Sequence, residues 1–64
     1  MKIGDLVTIS AYGSKMTLFY RVHNLLGIII DERIGPDSGR QEYLVHFMNG
    51  EKHYVYRKEI KYAK

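Results

Sequence analysis

Any chemistry in this 64-residue chain must come from few reactive side chains. A catalytic nucleophile needs a general base within reach and a third group to orient that base. Ser10, Ser14 and Ser38 read as strand-end or turn residues with no histidine paired nearby in sequence. The adjacent carboxylates Asp31 and Glu32 point to opposite faces of an extended chain, so they cannot share a reaction centre. Gly35-Pro36-Asp37-Ser38-Gly39 lacks the lysine and the spacing of a phosphate-binding loop. There is no cysteine, which removes disulfides and thiolate metal sites and fits a reducing compartment. His46 and His53 face each other if the turn between them has two residues, and imidazoles on neighbouring strands can hold a metal. His23 is remote, however, and no carboxylate has an obvious place as third ligand. The expectation is a protein that is not an enzyme and carries neither cofactor nor metal.

Aromatic and basic residues are the more plentiful resource. Ten Lys plus Arg against seven Asp plus Glu give a net charge of +3, a mild bias that permits a nucleic-acid or acidic-protein partner. Tyr12, Phe19, Tyr20, Arg21 and His23 could offer stacking faces and charge to a nucleic-acid strand. Alternatively, Phe19 or Tyr20 anchors its loop, because a minimal core needs its large aromatics for burial. Towards the end, Lys52, Arg57, Lys58, Lys61 and Lys64 are interrupted by one acid, Glu59. That run could neutralise phosphates, or it could keep an edge strand from pairing with other chains. Six tyrosines are more than so small a core can hide. Tyr54, Tyr56 and Tyr62 therefore join Tyr12, Phe19 and Tyr20 as a candidate docking surface, ringed by Arg21, Arg57 and Lys58.

The elements that must position these residues are strands. Glu42 to Tyr56 reads as one β-hairpin: Tyr43, Val45 and Phe47 alternate with Leu44, His46 and Met48, Asn49-Gly50 makes the turn, and His53-Tyr54-Val55-Tyr56 returns. The turn length sets the register. A two-residue turn pairs Val45 with Tyr54 and turns Tyr54 and Tyr56 inward. A three-residue turn, with Gly50 in the left-handed region, pairs Val45 with His53 and Tyr43 with Val55, which turns the two tyrosines outward. Met1 to Ser10 gives a Gly4-Asp5 turn and a strand with Val7 and Ile9 on one face. Leu25 to Arg33 is the strongest central strand, with Ile28 and Ile30 on one face, Ile29 on the other, and a bulge or bend expected at Gly27. Ala11 to Asn24 is expected to be a ragged hairpin, Ile34 to Gln41 a loop, Arg57 to Glu59 a single 3₁₀ turn, and Ile60 to Lys64 a closing strand.

The length allows one domain, 1–64, with a core of roughly ten side chains. No apolar run is long enough to span a bilayer and no signal segment is visible, so the cytoplasm, or a particle assembled there, is the expected location. The order GDLV, long loop, GIII, YLVHFMNGE and YVYRKEI resembles the small SH3-like barrels. These include KOW and Tudor-type domains and short uncharacterised proteins of bacteria and tailed phages. Gly4-Asp5, Gly27-Ile28, Tyr43/Val45/Phe47, Gly50 and Arg57–Ile60 fill the group's recurring positions, so the likeness covers essentially the whole chain. It implies an all-β, five-stranded SH3-like barrel with a 3₁₀ turn before the last strand, and it prefers Val55 inside. The chain lacks the tryptophan of the peptide-binding SH3 groove, so proline-rich recognition is not implied. The expected function is a non-catalytic module docking on a larger protein or assembly, phage-encoded proteins included. The alternatives are a KOW-like RNA- or DNA-binding domain using Lys15, Arg21, Arg57, Lys58 and Lys61, and self-assembly through the closing strand or an exposed edge.

Overall fold

The computed structural model describes residues 1–63. Strands form where branched and aromatic residues alternate: β1 (Leu6–Ile9), β2 (Gly27–Ile34), β3 (Gln41–Phe47), β4 (Lys52–Tyr56) and β5 (Ile60–Tyr62). They make one antiparallel sheet in the order β4-β3-β2-β1-β5. The helical elements among the described residues are three 3₁₀ turns, η1 (Gly13–Lys15), η2 (Thr17–Phe19) and η3 (Arg57–Glu59), none long enough to cross a membrane.

Connectivity forces this sheet to curl. β4 and β5 are its two edges, and η3 alone joins them. In a flat sheet the edges would stand roughly 19 Å apart, four inter-strand spacings. The four residue steps from Tyr56 to Ile60 reach about 14 Å even when fully extended, and a 3₁₀ turn reaches less. The edges therefore bend towards each other around one core, without pairing among the described residues. That core has ten buried hydrophobic residues drawn from all five strands and the first excursion: Val7, Ile9, Phe19, Val22, Ile29, Tyr43, Val45, Phe47, Val55 and Ile60.

The β3–β4 turn takes the three-residue form. Val45 lies opposite His53 and Tyr43 opposite Val55. Gly50 has φ +91°, where a side chain would be strained. The Phe47 N–H donates to the Glu51 carbonyl at 2.8 Å, and the Gly50 N–H to the Phe47 carbonyl at 2.9 Å. Val55 is buried and Tyr54 exposed as a result. The opening turn also forms as its residues suggest, with the Asp5 carboxylate accepting the Lys2 N–H at 2.9 Å.

Two expectations are corrected. Residues 11–24 form no hairpin; they run through η1 and η2 with repeated bonds to the third residue back, such as Phe19 N–H to the Met16 carbonyl and Val22 N–H to the Phe19 carbonyl. A strand would have put residues 18, 20 and 22 on one face. The observed period of three instead buries Phe19 and Val22 and leaves Leu18 and Tyr20 in water. The physical reason is that the curled sheet needs a lid, and both edges of β1 are already paired. Secondly, the bulge falls at Ile30, between Ile29 and Asp31, and not at Gly27. Gly27 lies opposite Phe47, and a Cβ there would come within 2.5 Å of Val45 Cγ1, so glycine permits close packing of side chains over the strand. The closing strand ends at Tyr62, and the Lys64 of the expected strand and basic run lies outside the described residues.

Candidate docking surface

β4 presents Tyr54 and Tyr56 on the side away from the core because Val55 between them points inward. The bulge at Ile30 brings them a partner. It shifts the alternation of β2 by one, so Arg33, opposite Glu42, lies on the same outer side. The Arg33 guanidinium sits 3.6 Å above the Tyr54 ring centre, and its Nε donates to Glu42 Oε1 at 2.9 Å. That hydrogen bond, with the charge of Glu42 behind it, holds the Arg33 guanidinium even more firmly protonated than usual.

The pattern repeats along the surface. Arg40, from the β2–β3 turn, lies over Tyr56 at 5.4 Å, Arg57 over Tyr62 at 5.8 Å and Lys58 over Tyr12 at 4.9 Å. Each such contact favours one placement of a long basic side chain over a ring face. η3 fixes the end of this array. The buried Glu59 carboxylate accepts the Tyr56 N–H at 2.7 Å. The Ser10 N–H donates to the Glu59 carbonyl at 2.8 Å, and the Ser10 hydroxyl to the Lys58 carbonyl at 2.6 Å. Gly13 packs so closely on the Glu59 carbonyl that no side chain fits there.

Arg40, Gln41, Tyr56, Arg57 and Lys58 line one open depression of about 500 Å³. Three of these five residues are cationic and none is acidic. The acids nearby in the fold already have hydrogen-bond partners, Glu42 with Arg33, Glu59 with the Tyr56 backbone and Glu32 with the Gln41 side-chain amide. Such a surface can hold carboxylates at its rim and apolar groups against the tyrosine ring and the methylene stems of its basic residues.

The residues anticipated for partner binding divide into groups. Tyr12, Tyr54, Tyr56, Arg57 and Lys58 belong to the array just described. Phe19 does not: at 1% exposure it is a core residue, its ring edge-on to His53 with centroids 6.0 Å apart, because the lid is anchored through it. Tyr20 and Arg21 are exposed on the lid. Tyr20 stacks on His23, and Arg21 Nε pairs with Glu51 at 3.3 Å. Lys61 lines a separate polar hollow with Thr8, Ser10, Ser14, His23 and Asn24. The facing histidines belong to the two-residue turn and do not arise. In the three-residue register His46 lies opposite Lys52, while His53 packs against Phe19 and Phe47 with Nε2 3.0 Å from Glu51 Oε1. Among the described residues no cluster of three or more His, Cys, Asp or Glu could hold a metal.

Arg33 and Arg40 of this surface, and the buried Glu59 that anchors it, do not stand out in the sequence. Glu59 has a signal, an acid three residues after the strand end at the spacing of a capping box. Arg40 can be placed beside the hairpin by counting across the β2–β3 turn. Arg33 cannot, because simple alternation from Ile29 puts it on the core side and only the bulge reverses this. No family model matches the chain, and comparison with curated proteins and with solved structures finds no match.

Proposed function

We propose that this chain is an SH3-like barrel acting as a non-catalytic module that docks on an acidic surface of a larger protein. The strand order, the curl of the sheet and the 3₁₀ turn joining β4 to β5 support the barrel reading. The observation that carries the docking reading is the depression in which Arg40, Arg57 and Lys58 gather around Tyr56 with no acidic side chain in its lining. Tyrosine and arginine together are the side chains that concentrate binding energy at interfaces, and an acidic partner would supply the missing counter-charges. The KOW-like alternative draws less support. Of its residues Lys15, Arg21, Arg57, Lys58 and Lys61, only Arg57 and Lys58 share a depression, while Arg21 pairs with Glu51 and Lys61 lines a different hollow. Tyr12, Tyr54, Tyr56 and Tyr62 each have a cation within 6 Å over a ring face, which competes with base stacking.

The test is affinity capture from the native cell with the parent chain and with Tyr56→Ala and Arg57→Ala, beside titration of single-stranded and duplex oligonucleotides at two salt concentrations. The docking reading expects defined protein partners that both substitutions lose, and weak oligonucleotide binding. Unchanged partners with both variants would remove this surface from consideration. Tight oligonucleotide binding with a steep salt dependence would transfer the assignment to nucleic acid.

A further inference from the structure

The outer surface of the sheet changes character along its length. At one end lie Arg33, Glu42 and Tyr56. At the other, cross-strand pairing sets Leu6 of β1, Ile28 of β2 and His46 of β3 in one row that ends at Lys52 of β4. Leu6, Ile28, Ile30 and Met48 are 49%, 37%, 37% and 74% exposed. Four residues with apolar side chains at those exposures leave on the order of 400 Å² open to water, within the range of the largest patch on much bigger monomers. Leu6, Leu26, Ile28, His46, Phe47 and Met48, with Gly27 and Gly50, line an open hollow there of about 360 Å³. No Asp, Glu, Lys or Arg takes part in its lining.

We infer that this face is where a second copy of the chain binds, as a two-fold, reversible dimer. Three observations point to this occupant. A chain of net charge +3 repels its own copy over most orientations, and this hollow has no ionised acid or ammonium in its lining to add to that repulsion. A two-fold contact uses one self-complementary patch, which a projection beside a recess provides; Met48, the most exposed side chain of the group, stands on the wall of the hollow. A methionine is flexible enough to fill an irregular apolar recess, so each copy can insert Met48 beside Leu6 and Ile28 of the other. The third observation is area. A stable interface removes about 800 Å² from each partner. This patch supplies about half of that as apolar surface, with the rim supplying the rest, which suits an equilibrium between monomer and dimer rather than an obligate pair. The contact is made by side chains of the outer face and not by edge-strand backbone, so it differs from strand-to-strand assembly. The Tyr56 depression remains free in each copy.

Sedimentation velocity of the full chain, from micromolar to near-millimolar concentration, reads the proposal directly. The parent is expected to move from monomer to dimer across that range. Met48→Lys is expected to weaken association by about tenfold or more, because it places two ammonium groups in an apolar contact. At 74% exposure the Met48 side chain adds little to the fold, and circular dichroism checks that the variant stays folded. Leu6→Lys gives an independent second disruption, while Tyr20→Ala on the lid should leave association unchanged. A parent that stays monomeric to the highest concentration overturns the proposal. So does a dimer that survives both lysine substitutions. A monomer that instead binds detergent micelles through Met48 would overturn it in favour of an apolar ligand.

Discussion

Two regions pack onto the same core by different means. The β3–β4 hairpin carries a backbone ladder from Glu42–Tyr56 to His46–Lys52, and its inward residues Tyr43, Val45, Phe47 and Val55 are spread over four positions. The lid over residues 11–24 has short-range backbone bonds to the third or fourth residue back in place of a ladder, and of its large side chains only Phe19 and Val22 are buried. In the hairpin, ladder bonds and burial specify the same geometry many times over. In the lid, one aromatic ring takes most of that task. A substitution in the hairpin should therefore be shared among neighbours, whereas one at Phe19 should not.

The largest expected effect follows from that contrast. Phe19→Ala deletes a ring at 1% exposure and should cost about 3–5 kcal/mol. A single core of this size rarely supplies more than about 3–5 kcal/mol in total, so the variant should be largely unfolded at room temperature. Leu18→Ala, one residue away and 65% exposed, should change stability by less than about 0.5 kcal/mol. Urea unfolding followed by circular dichroism measures both. A Phe19→Ala protein that still unfolds cooperatively with only a small loss would mean that the lid is held by something other than this ring.

The same contrast explains what was legible in the sequence. The five strands could be read because alternation and turn chemistry agree with burial, as at Val7 and Ile9 or at Tyr43, Val45 and Phe47. The outward Tyr54 and Tyr56 could be read once Gly50 was given its left-handed role. The lid could not, since the β-favouring types in Thr17–Val22 satisfy a strand pattern while the core selects the period-three pair Phe19 and Val22. Tertiary demand overrode local preference there. Part of the candidate docking surface was hidden for a related reason. Tyr12, Tyr54, Tyr56, Arg57 and Lys58 are conspicuous by type, but Arg33 reaches Tyr54 only through a bulge that no glycine or proline at Ile30 announces.

A smaller effect probes the hairpin side. Gly50 at φ +91° has open space where a Cβ would stand, so Gly50→Ala meets conformational strain without a clash. The cost should be about 1–2 kcal/mol, with an unchanged denaturant slope and the Val45–His53 pairing retained in nuclear Overhauser contacts. Loss of that pairing in favour of Val45–Tyr54 would show that Gly50 alone chooses the register, and that the ladder specifies less of the hairpin than its length suggests.

The smallest effect concerns the ionic link between the two regions. Arg21 on the lid and His53 on β4 both contact Glu51, at the end of the hairpin turn. The His53 hydrogen bond, followed by the charge of Arg21, holds the Glu51 carboxyl below its ordinary range, 4.5 being the reference value. A carboxyl whose folded pKa is depressed stabilises the fold above its unfolded pKa and loses that contribution as pH falls through the folded value. Glu51→Gln should thus destabilise the protein near neutral pH, and the gap between parent and variant should narrow as pH falls below about 4.5. The group is half-buried and still in contact with water, so the gap should be modest and should shrink with added salt. Urea midpoints of both proteins across that window provide the measurement. A gap that does not change with pH would mean that the Glu51 charge does not tie lid to hairpin, leaving Phe19 against His53 and its apolar neighbours as the whole of the attachment.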